Sequence, residues 1–329
     1  MTPGDHCTPM PYDRLGFPIP RDFEPPPRPG GDSAPSSRRV GPWDAEDAPR
    51  RRVGAGKRFF VWALLLFGVV PAILLPAALP LVREAMVQWS VERAMAHEAR
   101  NDVASAAADV GRAIVWIDAD AQAQARLLCW RSTLLLENRQ TAAAVAEASR
   151  AVALVPTAAL PRRTRALAHV VAGDAEAALV DAQAAVELTG ADNPEARNHR
   201  AYIRALVGRE LEAALADVEV ALAGSGAGAP EFLDTRGFIL HLLGRHQEAI
   251  DDLNQAIGKT QQDRREVAGL AGRIDPVELA CRLRPIDHGL AVMHHHRGLA
   301  CRAIGLERQA AQDLETAERK GFDPTRGVL

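Results

Sequence analysis

A pattern of six small or apolar residues occurs twice near the end of the chain with identical internal spacing. The first copy comprises Gly237, Leu240, Gly244, Ala249, Leu253 and Ala256, and the second, 61 positions later, comprises Gly298, Cys301, Gly305, Ala310, Leu314 and Ala317. A pattern that recurs with fixed spacing is typical of chains built from stacked copies of one structural unit. Each unit then buries its apolar face against its neighbours.

The spacing within the pattern predicts a helical hairpin. An apolar residue and a glycine, three and seven positions after the first glycine, fit one helix that ends at a glycine turn. The alanine, leucine and alanine that follow, at intervals of four and three, form the inner stripe of a second helix. The small residues Gly237 and Ala249 allow two antiparallel helices to approach closely.

The unit resembles the tetratricopeptide repeat (TPR), a 34-residue helix-turn-helix with small residues at its eighth and twentieth positions and alanine at its twenty-seventh. The segment GRHQEAIDDLNQAI, from Gly244 to Ile257, is similar to the turn and second helix of that family. Weaker copies upstream predict six hairpins, with turns at Asn101, Arg139, Gly173, Gly208, Gly244 and Gly305. The turn at Gly208 is predicted to be one residue longer. Residues 83–329 should therefore form an all-α superhelix of α/α hairpins, a TPR-like solenoid.

The segment 258–289 separates the last two copies and adds 27 residues to a standard period. Its first part, KTQQDRREVAG, is polar. Its second part, DPVELACRLRP, predicts a short helix with Asp275 as N-cap and Pro276 at the first helical position. A binding loop and a mobile spacer are both compatible with this insertion. The sixth hairpin should pack on the fifth or on the inserted helix.

The residues before the repeats predict a membrane anchor. Residues 59–82 contain no charged side chain, and as a helix of about 36 Å they would cross a bilayer. Basic residues precede this segment, so the N-terminus should be cytoplasmic and the repeats extracytoplasmic, in a single-pass protein of a bacterial inner membrane. Residues 1–58, with twelve prolines, should be a disordered tail that is either a linker or carries a binding motif.

No pattern for catalysis, a cofactor or a metal is recognisable. Consecutive histidines on one helix diverge by about 100°, so His294, His295 and His296 predict a solvated or groove-lining role rather than a metal site. Cys129 and Cys301 occupy helix positions that suit core thiols. Alternatively, Cys281 and Cys301 form a disulfide if the segment between them folds back. A net charge of −3 gives no indication of nucleic-acid binding.

The resemblance implies that the first helices of successive hairpins line a concave groove that holds an extended peptide or a helix. Its groove positions correspond to Arg163, Asn198, Tyr202, Asp234, Phe238, His241, His295 and Arg302. We therefore expect a non-enzymatic, membrane-anchored adaptor that holds a partner protein near the membrane. Two alternatives remain: a homo-oligomerising structural module that couples the cytoplasmic tail to the other side of the membrane, and an enzyme with an unrecognised site.

Overall fold

A computed structural model describes residues 69–117, 120–225 and 228–323. The tail, residues 1–58, and the first ten residues of the predicted membrane span lie outside these ranges. Within them, no helix combines the length and the apolar character needed to span a bilayer. The chain divides into two compact units, Met1–Leu75 and Pro76–Leu329. Of the first unit only residues 69–75 are described, and from Val70 onwards they are helical.

The described residues contain twelve α-helices and no strand, as predicted. The helices pair in chain order as six antiparallel hairpins. Their bounds are α1 Val70–Ala99 and α2 Val103–Trp116; α3 Ala121–Glu137 and α4 Thr141–Leu154; α5 Ala159–Ala172 and α6 Ala175–Thr189; α7 Pro194–Val207 and α8 Leu211–Gly224; α9 Pro230–Leu242 and α10 His246–Ala268; α11 Pro276–Ala303 and α12 Glu307–Arg319. The result is an all-α solenoid of TPR-like hairpins.

All six predicted turn residues adopt positive φ, the conformation that ends a helix and reverses the chain. Their φ angles are 60° at Asn101, 59° at Arg139, 78° at Gly173, 65° at Gly208, 78° at Gly244 and 78° at Gly305. Hairpin 4 has a second such residue, Glu210, with φ 54°. This extra left-handed residue gives the longer turn that the sequence predicts there.

Small residues are buried where the two helices of each hairpin cross, as the sequence predicts for Gly237 and Ala249. On the first helices they are Ala94, Ser132, Ala166, Ala201, Gly237 and Gly298, and on the second helices Ala106, Ala144, Ala178, Ala214, Ala249 and Ala310. A Cβ atom on Gly237 would lie 2.8 Å from Leu253 Cγ and 3.1 Å from the carbonyl oxygen of Ala249. In hairpin 2 the two helices are close enough for the Ser132 hydroxyl to donate a 2.8 Å hydrogen bond to the Ala144 carbonyl.

An arginine on the first helix pairs with a carboxylate on the second helix in every hairpin. The pairs are Arg93 with Asp109, Arg131 with Glu147, Arg165 with Asp181, Arg200 with Asp217, Arg236 with Asp252 and Arg297 with Asp313. The arginine precedes the buried small residue of its helix, and the acid lies 16 positions later, or 17 in hairpin 4. The repeated ion pair was not predicted from the sequence. It occurs once in each of the six hairpins that the turns define.

The segment 258–289 differs from the prediction of a polar stretch followed by a short separate helix. Residues up to Ala268 prolong α10, and the predicted short helix is the first half of α11, a helix of 28 residues with Pro285 inside it. The polar stretch consists mainly of good helix formers, and Gln262 bonds Glu266 one turn later. The Asp275 cap is confirmed by bonds from the amides of Val277 and Glu278.

Hairpin 6 packs on hairpin 5, as expected, through contacts of α11 with both α9 and α10. The possible disulfide between Cys281 and Cys301 is not formed, since both are free thiols. The two residues lie twenty positions apart on the single helix α11, a separation of about 30 Å. A disulfide requires Cα atoms less than about 7 Å apart, so the continuous helix excludes this bridge.

Candidate protein-binding surface

The first helices of successive hairpins lie next to one another and form one face of the array. Helix α3 contacts α5, α5 contacts α7, α7 contacts α9, and α9 contacts α11. We call the surface formed by these first helices, together with α1, the inner face. The predicted residues lie on it in the following order: Arg163 on α5, Asn198 and Tyr202 on α7, Asp234, Phe238 and His241 on α9, and His295 and Arg302 on α11.

The eight residues differ in their accessibility. Arg302 is exposed, whereas Arg163, Asn198, Tyr202, Phe238, His241 and His295 are half-buried. Asp234 is only 8% exposed, and its carboxylate lies 2.9 Å from Nδ1 of His296. Asp234 is therefore bonded inside the protein rather than presented to a partner in this conformation.

His296 organises the centre of the inner face, a role that sequence reasoning missed. Its ring stacks on Phe238, with centroids 4.2 Å apart and planes inclined by 11°. The neighbouring ring of His295 lies 4.3 Å from the ring of Phe322. The hydrogen bond to Asp234 and the stack on Phe238 fix His296 on α9, so hairpins 5 and 6 share one aromatic cluster.

Two of the three consecutive histidines do not have the solvated or groove-lining position that the sequence predicts. His294 and His296 are buried rather than solvated, and each bonds a carboxylate. His294 Nδ1 lies 2.8 Å from Asp313, in the ion pair that hairpin 6 shares with the other hairpins. Only His295 has the groove-lining position. Within the ranges that the structure describes, no three histidine, cysteine or acidic side chains converge as a metal site.

The inner face holds the imidazoles of His295 and His241 in the neutral form at neutral pH. Burial lowers the pKa of His295 to about 4, and nearby His296, Arg302 and His241 add to the effect. Burial, together with His246 and His296, also lowers the pKa of His241. The pKa of Tyr202 is raised by burial and by the charge of Asp234. The surface thus offers neutral aromatic rings and hydrogen-bonding groups, which suit a peptide backbone and apolar side chains.

The first half of α11 also lies on the inner face, where it contacts the first two hairpins. Arg284 forms ion pairs with Glu98 of α1 and with Glu137 of α3. The Cys281 thiol lies 3.7 Å from the carbonyl oxygen of Met95. The beginning and the end of the array are therefore joined by side-chain contacts across a sequence separation of 186 residues. The repeat pattern does not indicate these contacts.

No protein-family model matches the sequence, and no curated protein matches it either. Several solved structures of helical-repeat proteins are similar. A tetratricopeptide repeat protein from Parabacteroides merdae is 17% identical, over 73% of this chain and 94% of that chain, with a TM-score of 0.43. A thermophilic TPR protein of Thermus thermophilus is 20% identical, over 52% of this chain and 90% of that chain, with a TM-score of 0.45.

MamA from Desulfovibrio magneticus, from its residue 41 to the end, is 14% identical to this chain over 63% of it and 100% of that protein, with a TM-score of 0.38. These are similarities at TM-scores below 0.5. The fold therefore rests on the chain's own geometry: six left-handed turns, buried small residues at each helix crossing, and one arginine–acid pair in each hairpin.

Proposed function

We propose that this chain is a non-enzymatic scaffold protein that binds a peptide or a helix of a partner protein on its inner face. The observation that carries this proposal is the arrangement of seven accessible or half-accessible side chains on the first helices of hairpins 3 to 6. They are Arg163, Asn198, Tyr202, Phe238, His241, His295 and Arg302. Aromatic rings and an arginine beside hydrogen-bonding groups are the composition that dominates the energetics of protein interfaces.

The rigidity of the surface favours binding. Phe238 is fixed by its stack on His296 and packs against the core of hairpin 4, so little side-chain freedom remains to be lost on association. His295 is similarly placed against Phe322. A preorganised surface loses less conformational entropy when a partner docks and therefore retains more of the contact energy as affinity.

We further propose that residues 59–82 anchor the protein in a membrane, with the N-terminus in the cytoplasm and the hairpins on the other side. The support is the sequence itself, a run of 24 residues without a charged side chain that basic residues precede. Of this segment, residues 70–82 are helical in the structure as part of α1. In this arrangement the scaffold concentrates its partner at the membrane.

A matched pair of charge reversals tests the binding proposal. Arg302 lies on the inner face, whereas Arg308 lies on α12, a second helix, and both are exposed. Tagged full-length protein is purified from native membranes as wild type, R302E and R308E, and co-purifying proteins are quantified by mass spectrometry. We expect a partner that R302E loses and R308E keeps. Equal recovery with both variants would reject the inner face as the binding surface, and recovery of untagged copies of this chain would indicate homo-oligomerisation.

A further inference from the structure

Residues 276–289, the first half of α11, form an addition to the standard hairpin that we call the α11 extension. It runs along the inner face from hairpin 5 towards hairpin 1. Beyond the C-terminal end of the extension, His296 of α11 contacts Asp234 of α9. Twelve residues before His296, Arg284 contacts Glu98 of α1 and Glu137 of α3. At 1.5 Å per residue these contacts are about 18 Å apart along one helix. The extension therefore crosses the face that we propose for binding.

Polar contacts hold most of the α11 extension in place. Near its C-terminal end Ile286 packs against the core cluster that contains Leu290 and Met293, and Asp287 pairs with Arg264 and Lys320. None of the residues 276–289 is buried, whereas the next five, Leu290 to His294, are all buried. The same helix is thus firmly packed in its second half and lightly packed in its first. Segments with few buried apolar contacts detach at a low free-energy cost, while the rest of the structure stays folded.

The surface under the extension is acidic and requires a cation. The Glu98 side chain is 3% exposed and that of Glu137 is 22% exposed, and both carboxylates contact the guanidinium of Arg284. Trp130 donates a 3.1 Å hydrogen bond to Glu98 from its indole nitrogen. A carboxylate that is this deeply buried is strongly destabilising when its cation is removed. An occupant that supplies a positive charge at the position of Arg284 therefore compensates both carboxylates.

We propose that the Glu98–Glu137 surface is a docking site for a helix that carries an arginine or lysine, and that the α11 extension occupies it in cis. A basic amphipathic helix of a partner displaces the extension by offering its own cation to the two glutamates. This inference deepens the proposed function, on which it rests, by naming the chemistry of the partner and the segment that competes with it.

A peptide with the sequence of the extension serves as the probe. Fluorescein-labelled peptide 276–289, carrying C281S, is titrated against the full-length protein in detergent and followed by fluorescence anisotropy. In the R284E variant, the new carboxylate faces Glu98 and Glu137 and expels the extension. R282E is the matched control, because Arg282 is exposed and pairs with Glu278 on its own helix. We expect R284E to bind the peptide at least about tenfold more tightly than wild type or R282E.

Two results of the titration would overturn the proposal. One is equal binding of the peptide, or no binding, across wild type, R282E and R284E. The other is undiminished binding to R284E of a second peptide in which the arginine corresponding to Arg284 is replaced by glutamate. This titration does not depend on a natural partner, so its outcome is separate from that of the co-purification with R302E and R308E.

Hydrogen exchange on the wild-type protein provides a second measurement that needs no variant. We expect backbone amides of residues 276–289 to exchange at least about tenfold faster than those of residues 290–303, because the extension detaches while the rest of α11 stays packed. This result would support the proposal even if R284E failed to fold. Equal protection along the whole of α11 would overturn it.

Discussion

Arg236 donates two hydrogen bonds, of 2.6 and 2.7 Å, to the carboxylate of Asp252 across hairpin 5. The hydrogen bonds to Asp252 raise the pKa of the guanidinium, although burial acts in the opposite direction. A bidentate pair of this kind fixes both the distance and the rotation of two helices. The bidentate pair recurs in hairpins 3 to 6, so it helps to give these four units one geometry.

Removing the arginine of this pair should destabilise the protein. The R236M variant leaves the Asp252 carboxylate, 5% exposed, without its main cation, and we expect a loss of about 1–3 kcal/mol in the free energy of unfolding. Urea unfolding of the full-length protein in detergent, followed by circular dichroism, measures this loss. R245M is the control, because the pair of Arg245 with Glu248 lies at the surface and should contribute far less. Equal midpoints for both variants would contradict a structural role of the repeated pair.

A methyl group at Gly237 should separate the helices of hairpin 5. The added Cβ would lie 2.8 Å from Leu253 Cγ, in a fully packed crossing. We therefore expect the free energy of unfolding of G237A to be about 1–3 kcal/mol lower than that of the wild type. Gly258 is the control, because a Cβ there meets no atom within 4 Å. Gly258 lies within a helix, where alanine is more favourable than glycine, so the free energy of unfolding of G258A should be about 0.5–1 kcal/mol higher. The unfolding midpoints of the two variants should therefore move in opposite directions, and movement in the same direction would refute the predicted close crossing.

Stability should fall when the pH is lowered from 7.5 to 5, in part through His295. The pKa of this residue is lowered to about 4 in the folded protein and is about 6.5 in an unfolded chain, so the unfolded state binds the proton more strongly. Its stabilising contribution is complete above pH 6.5 and is lost as the pH falls towards 4. We expect His295 to account for a loss of about 2 kcal/mol in the free energy of unfolding between pH 7.5 and pH 5. In H295Q the dependence of the unfolding midpoint on pH should be shallower, and an identical dependence in both proteins would exclude this assignment.

The proposed membrane anchor predicts how the protein fractionates. Full-length protein should remain with the membrane pellet after alkaline carbonate extraction, whereas a variant that lacks residues 59–82 should be released to the supernatant. Deletion of the tail residues 1–54 is the control and should leave the protein in the pellet. Protease added to the extracytoplasmic side should cleave the hairpins and spare the tail. Complete release of the full-length protein by carbonate would rule out an integral anchor.

The hairpin array was predictable because its determinants are local. Each left-handed turn needs a glycine or a tolerated substitute such as Asn101, and each close crossing needs a small residue such as Ala106. Both kinds of residue therefore recur in the sequence at fixed spacing. The arginine–acid pairs also have a recognisable spacing, with the acid 16 residues after the arginine or 17 in hairpin 4, although it becomes evident only once the hairpins are aligned. Arg236 and Asp252 are therefore readable from the sequence in retrospect.

The contacts of the α11 extension could not be predicted in this way. Pro285 and the polar residues before Gly269 suggest a break, but tertiary contacts of Arg284 and the Asp275 cap favour one long helix. The ion pair of Arg284 with Glu98 joins residues 186 positions apart, and no periodicity encodes such a separation. For the same reason the burial of Asp234 under His296 became clear only from the packing of hairpin 6 on hairpin 5.

Photo-crosslinking in native membranes shows whether a partner protein docks on the inner face. The photoreactive amino acid p-benzoylphenylalanine is placed at Tyr202 on the inner face, and at Val180, a 63% exposed residue of the second helix α6, in a separate variant. We predict that illumination joins a partner protein to the Tyr202 variant, identified by mass spectrometry, and yields no such product with the Val180 variant. The same product from both positions, or from Val180 alone, would show that the partner does not dock specifically on the inner face.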